Sequence, residues 1–261
     1  MITVRPDAER GQGHFGWLRA RYSFSFSSYY DPRHMGVSAL RVINQDIVNG
    51  KSGFGQHGHD NMEILTYVLS GTLSHRDTLG NIADITAGEF QLMSAGTGIE
   101  HSEMNRGDVP VELLQIWLQP NVRDLAPRYA QKSFERTSGL TCIVAPDGEA
   151  PEALPIRQDA RIYRGILPAH EQLSQALREG RKAWLQLISG RIRVNGQLLM
   201  AGDGAAAGGA DGQGRQALPA LQPPRAGKRR PPAAGGRSDP EQSAGSEDLR
   251  RAGCRTVALH G

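Results

Sequence analysis

Along the first 120 residues apolar and polar positions alternate in short runs, each closed by Gly, Asn-Gly or a charged turn. Leu40–Ile47, Glu63–Ser70, Thr72–Asp77, Ile82–Ile85, Phe90–Met93 and Val111–Leu118 read as short strands set apart by Gly or Asn-Gly punctuation, Glu63–Ser70 being largely apolar. Tyr22, Phe24 and Phe26 share one face of another such run, and Tyr29-Tyr-Asp-Pro32 breaks it. Asn49-Gly50 predicts a hairpin-type turn. Strands recurring about every ten residues predict an antiparallel sandwich or barrel.

Beyond Pro120 the pattern changes. Pro120–Arg136 carries two prolines and mixed charge and reads as a connection, after which Leu140–Val144 is a strand. Ala169–Glu179 is the best helix candidate, although loop plus strand fits it equally, and Trp184–Gly196 reads as a hairpin pair. An internal repeat supports two units. Tyr67–Leu73, ending at Ala87-Gly-Glu89, matches Leu187–Ile192, ending at Ala201-Gly-Asp203.

Residues 203–261 contain no Phe, Tyr, Trp, Ile or Met, and 29 of these 59 are Gly, Pro or Ala. So little apolar surface cannot offset an ordering entropy of roughly 1 to 2 kcal/mol per residue. The expectation is a disordered low-complexity tail over 205–261 and a second barrel lacking its last strands. Because the break is abrupt and falls inside a repeat, an out-of-frame reading of a GC-rich gene explains the tail better than a natural extension.

The formal net charge of +3 belongs to the tail: 203–261 holds 9 basic and 6 acidic residues, leaving 30 − 9 = 21 basic and 27 − 6 = 21 acidic before it. The body is neutral, so nothing in it points to nucleic acid. No apolar run approaches the roughly 20 residues of a membrane span, and the N-terminal residues have no apolar signal core, so a cytoplasmic location is expected. Cys142 and Cys254 form no thiolate motif.

The chemistry concentrates between Gly53 and Asn105. His57 and His59 are two apart, as are His101 and Glu103, and in a strand each pair projects to one face. If the two strands meet inside a barrel, three imidazoles and one carboxylate converge as a metal site with open positions for substrate or oxygen. Stepping back equally from Gly190 of the repeat reaches Ala176 and Arg178, so the second unit carries no such donors there. Glu63 shares parity with the first pair, and either a hydrogen bond to a ligand histidine or an ordinary barrel position is expected of it. His14, His34, His75, His170 and His260 lack pairing. His75, before a charged turn, is expected at the surface, with His34 a weaker candidate for the site's mouth.

Ser23-Phe-Ser-Phe26, Gly53-Phe-Gly55, His57-Gly-His59, Met62–Leu69, His75-Arg-Asp77, Leu79-Gly-Asn81 and Ala87–Glu103 together resemble the pirin family of bicupins, especially bacterial members with quercetin 2,3-dioxygenase activity. The resemblance implies an all-β bicupin: an N-terminal metal-binding cupin over 1–125 and a ligand-free, truncated C-terminal cupin over 126–204. It implies one divalent transition metal on His57, His59, His101 and Glu103, iron first, with Mn, Co, Ni, Cu and Zn as alternatives. A flavonol and O2 are the implied substrates, with Glu103 as proton acceptor. A monomer is expected, with no direct nucleic-acid or membrane binding. A metal-responsive regulator bound to a protein partner and a metal-assisted isomerase are the competing readings. Gly58 departs from the family, where proline is common between the two histidines.

Overall fold

The computed structural model describes residues 2–208, 217–221 and 254–260. In chain order its strands are β1 (Ile2–Arg5), β2 (Gly11–His14), β3 (Leu18–Tyr22), β4 (Leu40–Val48), β5 (Ser52–His59), β6 (Glu63–Ser70), β7 (Thr72–Asp77), β8 (Ile82–Thr86), β9 (Glu89–Ser94), β10 (Ile99–Asn105) and β11 (Val111–Leu118). There follow β12 (Arg128–Ser133), β13 (Gly139–Pro146), β14 (Leu154–Ile156), β15 (Arg161–Leu167), β16 (Leu173–Ala176), β17 (Lys182–Ser189), β18 (Arg191–Val194), β19 (Gln197–Met200), β20 (Gly204–Gly208), β21 (Ala217–Leu221) and β22 (Cys254–His260). A single 3-10 turn at Asp7–Glu9 is the only helical element among the described residues. The helix candidate at 169–179 is strand β16 flanked by loops, its apolar positions too few to define a buried helical stripe.

The first barrel sets a seven-stranded sheet, ordered β12-β9-β6-β11-β4-β3-β2, against a four-stranded sheet, ordered β5-β10-β7-β8. The second unit repeats the large sheet as β1-β20-β17-β22-β15-β13-β14, differing at one edge, where β14 pairs parallel to β13 while β2 pairs antiparallel to β3, and its small sheet is split into the ribbons β16-β21 and β18-β19. The repeat seen in sequence is therefore real. Gly71 and Gly190 hold equivalent left-handed turns, with φ of 77° and 81°, where the chain leaves a large sheet for a small one. A Cβ on Gly71 would also lie 2.8 Å from Val111.

Three expectations change here. Asn49-Gly50 closes no hairpin, because β4 and β5 belong to different sheets and the turn is a corner between them. The hairpin of the second unit is β18-β19 around Asn195-Gly196, with β17 bonded instead to β20 and β22. The boundary at 125/126 is crossed in both directions: β1 pairs with β20 of the second unit, and β12 pairs with β9 of the first.

The tail also changes. Gly204–Gly208 is a strand, and Cys254–His260 runs between β15 and β17, occupying the place that β11 has in the first barrel. Its short Thr-Val-Ala run suffices because it enters a ready-made slot: Thr256, Val257 and Ala258 are all buried. Residues 209–216 and 222–253 lie outside the described residues, and the disorder and out-of-frame readings of them lie there too.

The largest apolar cluster is the seam between the two large sheets. Leu65, Tyr67, Phe90, Leu114 and Ile116 meet Ile143, Ile156, Ile162, Trp184 and Val257, and Phe24 packs on Trp184 at 4.6 Å between ring centroids. Period-two alternation gives each strand of the first sheet a seam face and a barrel face. In β6, Leu65 and Tyr67 face the seam, while Val68 packs with the interior apolar cluster and Thr66 bonds to the site carboxylate. Val257→Asp places an unpaired charge in the seam and is expected to cost on the order of 3 kcal/mol or more. Chemical denaturation checks this, and an unchanged midpoint would show that β22 does not belong to the core.

Candidate metal centre

Strand β10 lies between β5 and β7 and carries the centre of the site. His101 is opposite His57 on one side and Asp77 on the other, while Glu103 is opposite His75. Gly53 lets β5 approach β10, since a Cβ there would lie 2.2 Å from the Glu103 carbonyl oxygen. The β5-β10 register then shifts between His101 and Glu103, two residues on β10 spanning three on β5, from His57 to Phe54. This irregularity and the next residue pair bring His57, His59 and His101 together.

Those three histidines each offer a ring nitrogen within 4.8 Å of the others. The Nε2 atoms of His59 and His101 are 3.1 Å apart, and His57 Nδ1 lies 2.7 Å from the Gly55 carbonyl, which holds its Nε2 free of the proton. Burial, reinforced by the neighbouring imidazoles, lowers His59 to about 4 and His101 to about 3. Both rings are then neutral near pH 7 and available as ligands. Converging neutral imidazoles with unshared pairs fit a divalent transition metal.

Glu103 belongs to a second, overlapping group, with His75 and His101. No single group of the described residues gathers all four expected donors. The Glu103 carboxylate is buried and accepts from Gln115 Nε2 at 2.9 and 3.0 Å and from Thr66 Oγ1 at 3.3 Å. Gln115 is itself oriented by the Trp117 indole, whose Nε1–H reaches its Oε1 at 3.2 Å, and Trp117 sets its ring edge-on to His59. Burial raises the Glu103 pKa, opposed by His75 and the Gln115 hydrogen bond.

One expectation about the neighbouring residues is overturned, and one open choice is decided. His75 is 1 % exposed, because β7 is an interior strand of the small sheet and only Arg76 of its charged neighbourhood points outward. Of the two readings open for Glu63, the hydrogen-bonded barrel position is the one found: it accepts from Ser94 Oγ at 2.7 Å and from the Arg157 backbone N–H at 3.4 Å, and bonds no histidine. Its parity with His57 is lost because β5 and β6 lie in different sheets. His34 sits 4.0 Å from the Asp31 carboxylate and joins neither group of donors. Thr66, Gln115 and Trp117 went unrecognised as site residues, although a polar residue facing inward within an apolar strand was a usable signal.

Asp46, on β4, is another buried acid of the barrel, and its Oδ1 has no hydrogen-bond partner. Burial, with the nearby Glu103 charge, raises it to about 7.

The fold and this donor cluster define a bicupin with one metal-binding barrel. Residues 3–118 match the family model described as Pirin, and 142–216 match that of the quercetinase C-terminal cupin domain. The chain is 44% identical over 207 residues to the quercetin 2,3-dioxygenase of Escherichia coli K12, covering 79% of this chain and 89% of the relative. It is 40% identical over 208 residues to a pirin-like protein of Caulobacter vibrioides, covering 78% and 90%. A crystal structure of a bacterial pirin from Escherichia coli in complex with nickel(II) superposes with a TM-score of 0.82 at 36% identity, covering 100% of this chain and 98% of that one. The chain belongs to the pirin family.

Asp46→Asn tests the burial of that acid in metal-free protein. A carboxyl whose folded pKa is raised costs stability once pH passes its unfolded value near 3.9, and the cost grows until about pH 7. The variant is therefore expected to melt above the parent at pH 8, by about 2–4 °C per kcal/mol recovered, with the gain shrinking at pH 5 and gone near pH 4. Equal melting at pH 8 would place Asp46 in contact with water.

Proposed function

We propose that this protein is a metal-dependent dioxygenase that opens the heterocycle of quercetin-like flavonols, with its cation held by His57, His59, His101 and Glu103. The observation that carries this reading is the convergence of three imidazoles beside a buried carboxylate, in a fold similar to that of an Escherichia coli pirin in complex with nickel(II). The name of the Escherichia coli relative supports the substrate class. Iron leads among the candidate metals, and the donor set equally suits Mn, Co, Ni or Cu. Among the described residues no helix is long and apolar enough to cross a membrane, and we place the protein in the cytoplasm.

The bound cation would supply a Lewis acid that lowers the pKa of a flavonol hydroxyl and positions the adjacent carbonyl. The residues of the chain do the rest. Glu103 accepts the hydroxyl proton, held in place by Gln115 and Thr66. Its raised affinity for protons, a consequence of burial, suits that task. Trp117 and Phe54, packed against His59 and His57, give an aromatic substrate apolar walls. O2 is the co-substrate.

Oxygen uptake by the metal-loaded protein with quercetin tests the assignment. Glu103→Gln is expected to retain metal through the three imidazoles and lose turnover by about 10²–10⁴-fold. Full activity in that variant would remove the proton role. Absence of uptake by the fully metallated parent would remove the dioxygenase reading in favour of a metal-responsive partner-binding protein.

A further inference from the structure

We propose that the barrel offers its cation an inner seat, formed by His75, His101 and Glu103, that overlaps the outer one, in which His57 and His59 join His101 and Glu103. The inference rests on the metal-centre reading above and adds His75 as a ligand.

The chemistry begins at Asp77. Its Oδ1 accepts the backbone N–H groups of Leu79 and Asn81 at 2.9 and 3.0 Å, and the Asn81 amide donates to both oxygens at 3.1 and 2.9 Å. Asp77 is a fixed acceptor, and its Oδ2 lies 2.9 Å from His75 Nε2. That bond assigns the His75 proton to Nε2 and leaves Nδ1 with an unshared pair. Nδ1 is buried and has no hydrogen-bond partner.

A histidine whose N–H is tied to a carboxylate while its other nitrogen stays free is the arrangement that orients imidazoles toward metals. The inner donors are placed by strand register, since His75 is opposite Glu103 and adjacent to the His101 row. A ring nitrogen of His75, one of His101 and a Glu103 oxygen all lie within 4.8 Å of one another. The Tyr129 ring, 4.9 Å from that of His75, restricts its rotation. All three inner residues are buried, whereas His57 and His59 are partly exposed, so the two seats differ in access to solvent. They differ also in donor set: three imidazoles and the carboxylate outside, two imidazoles and the same carboxylate inside.

Nickel(II) titration of the metal-free full chain tests this, comparing the parent, His57→Ala, and His57→Ala combined with His75→Ala. The inner seat is expected to keep one equivalent of nickel on His57→Ala with an affinity loss of about tenfold, and the double variant to lose at least a further tenfold. His75→Gln, which can still donate to Asp77, replaces the alanine if the double variant melts below the metal-free parent, and the same further loss is expected of it. Equal nickel affinity of His57→Ala with and without a folded His75 substitution would overturn the inner seat and leave the outer one standing. A parent that binds no nickel would overturn both seats and the metal-centre reading with them.

Discussion

The first barrel depends on how β5 is bonded to β10. These strands carry His57, His59, His101 and Glu103, and their register, with its one irregularity, decides which side chains meet. Burying so many polar groups is costly unless each finds a partner. Asp77, Gln115 and Thr66 supply several of those partners, while Nδ1 of His75 and Nδ1 of His101 stay buried without a hydrogen-bond partner.

The second unit supports this arrangement from behind. Every central strand of the first large sheet is two-faced, with aliphatic and aromatic side chains toward the seam and a partly polar set toward the barrel interior. A polar barrel face is tolerable because the opposite face is fully covered by the second sheet. Exchange of the end strands, β1 into the second sheet and β12 into the first, ties the two units together by backbone hydrogen bonds as well as by packing. The second unit keeps the large sheet and lacks the chemistry: β16 and β21, in the places of β5 and β10, carry no histidine or acid.

Much of this was legible in residue order. Short apolar-rich runs closed by Gly or turn residues located β4, β6, β7 and β11 almost to the residue, and H-x-H with H-x-E marked the donor strands, because both are local properties of a strand. What failed needed knowledge of which sheet a strand joins. His75 looked superficial beside Arg76 and Asp77, and only its place next to β10 buries it. For Glu63 two positions stayed open in the sequence, and the corner between β5 and β6 decides between them by turning it toward Ser94 and Arg157. Cys254–His260 was lost in a Gly- and Pro-rich context, since four moderately apolar residues carry no signal until a slot between β15 and β17 exists to receive them.

The central claim is that a cation sits among these imidazoles. Anomalous diffraction at the nickel edge from crystals of the nickel-loaded protein tests it most directly. One strong peak is expected within coordination distance of His101 and of either the His57–His59 pair or the His75–Glu103 pair. A peak elsewhere, or none above background at full loading, would contradict the account.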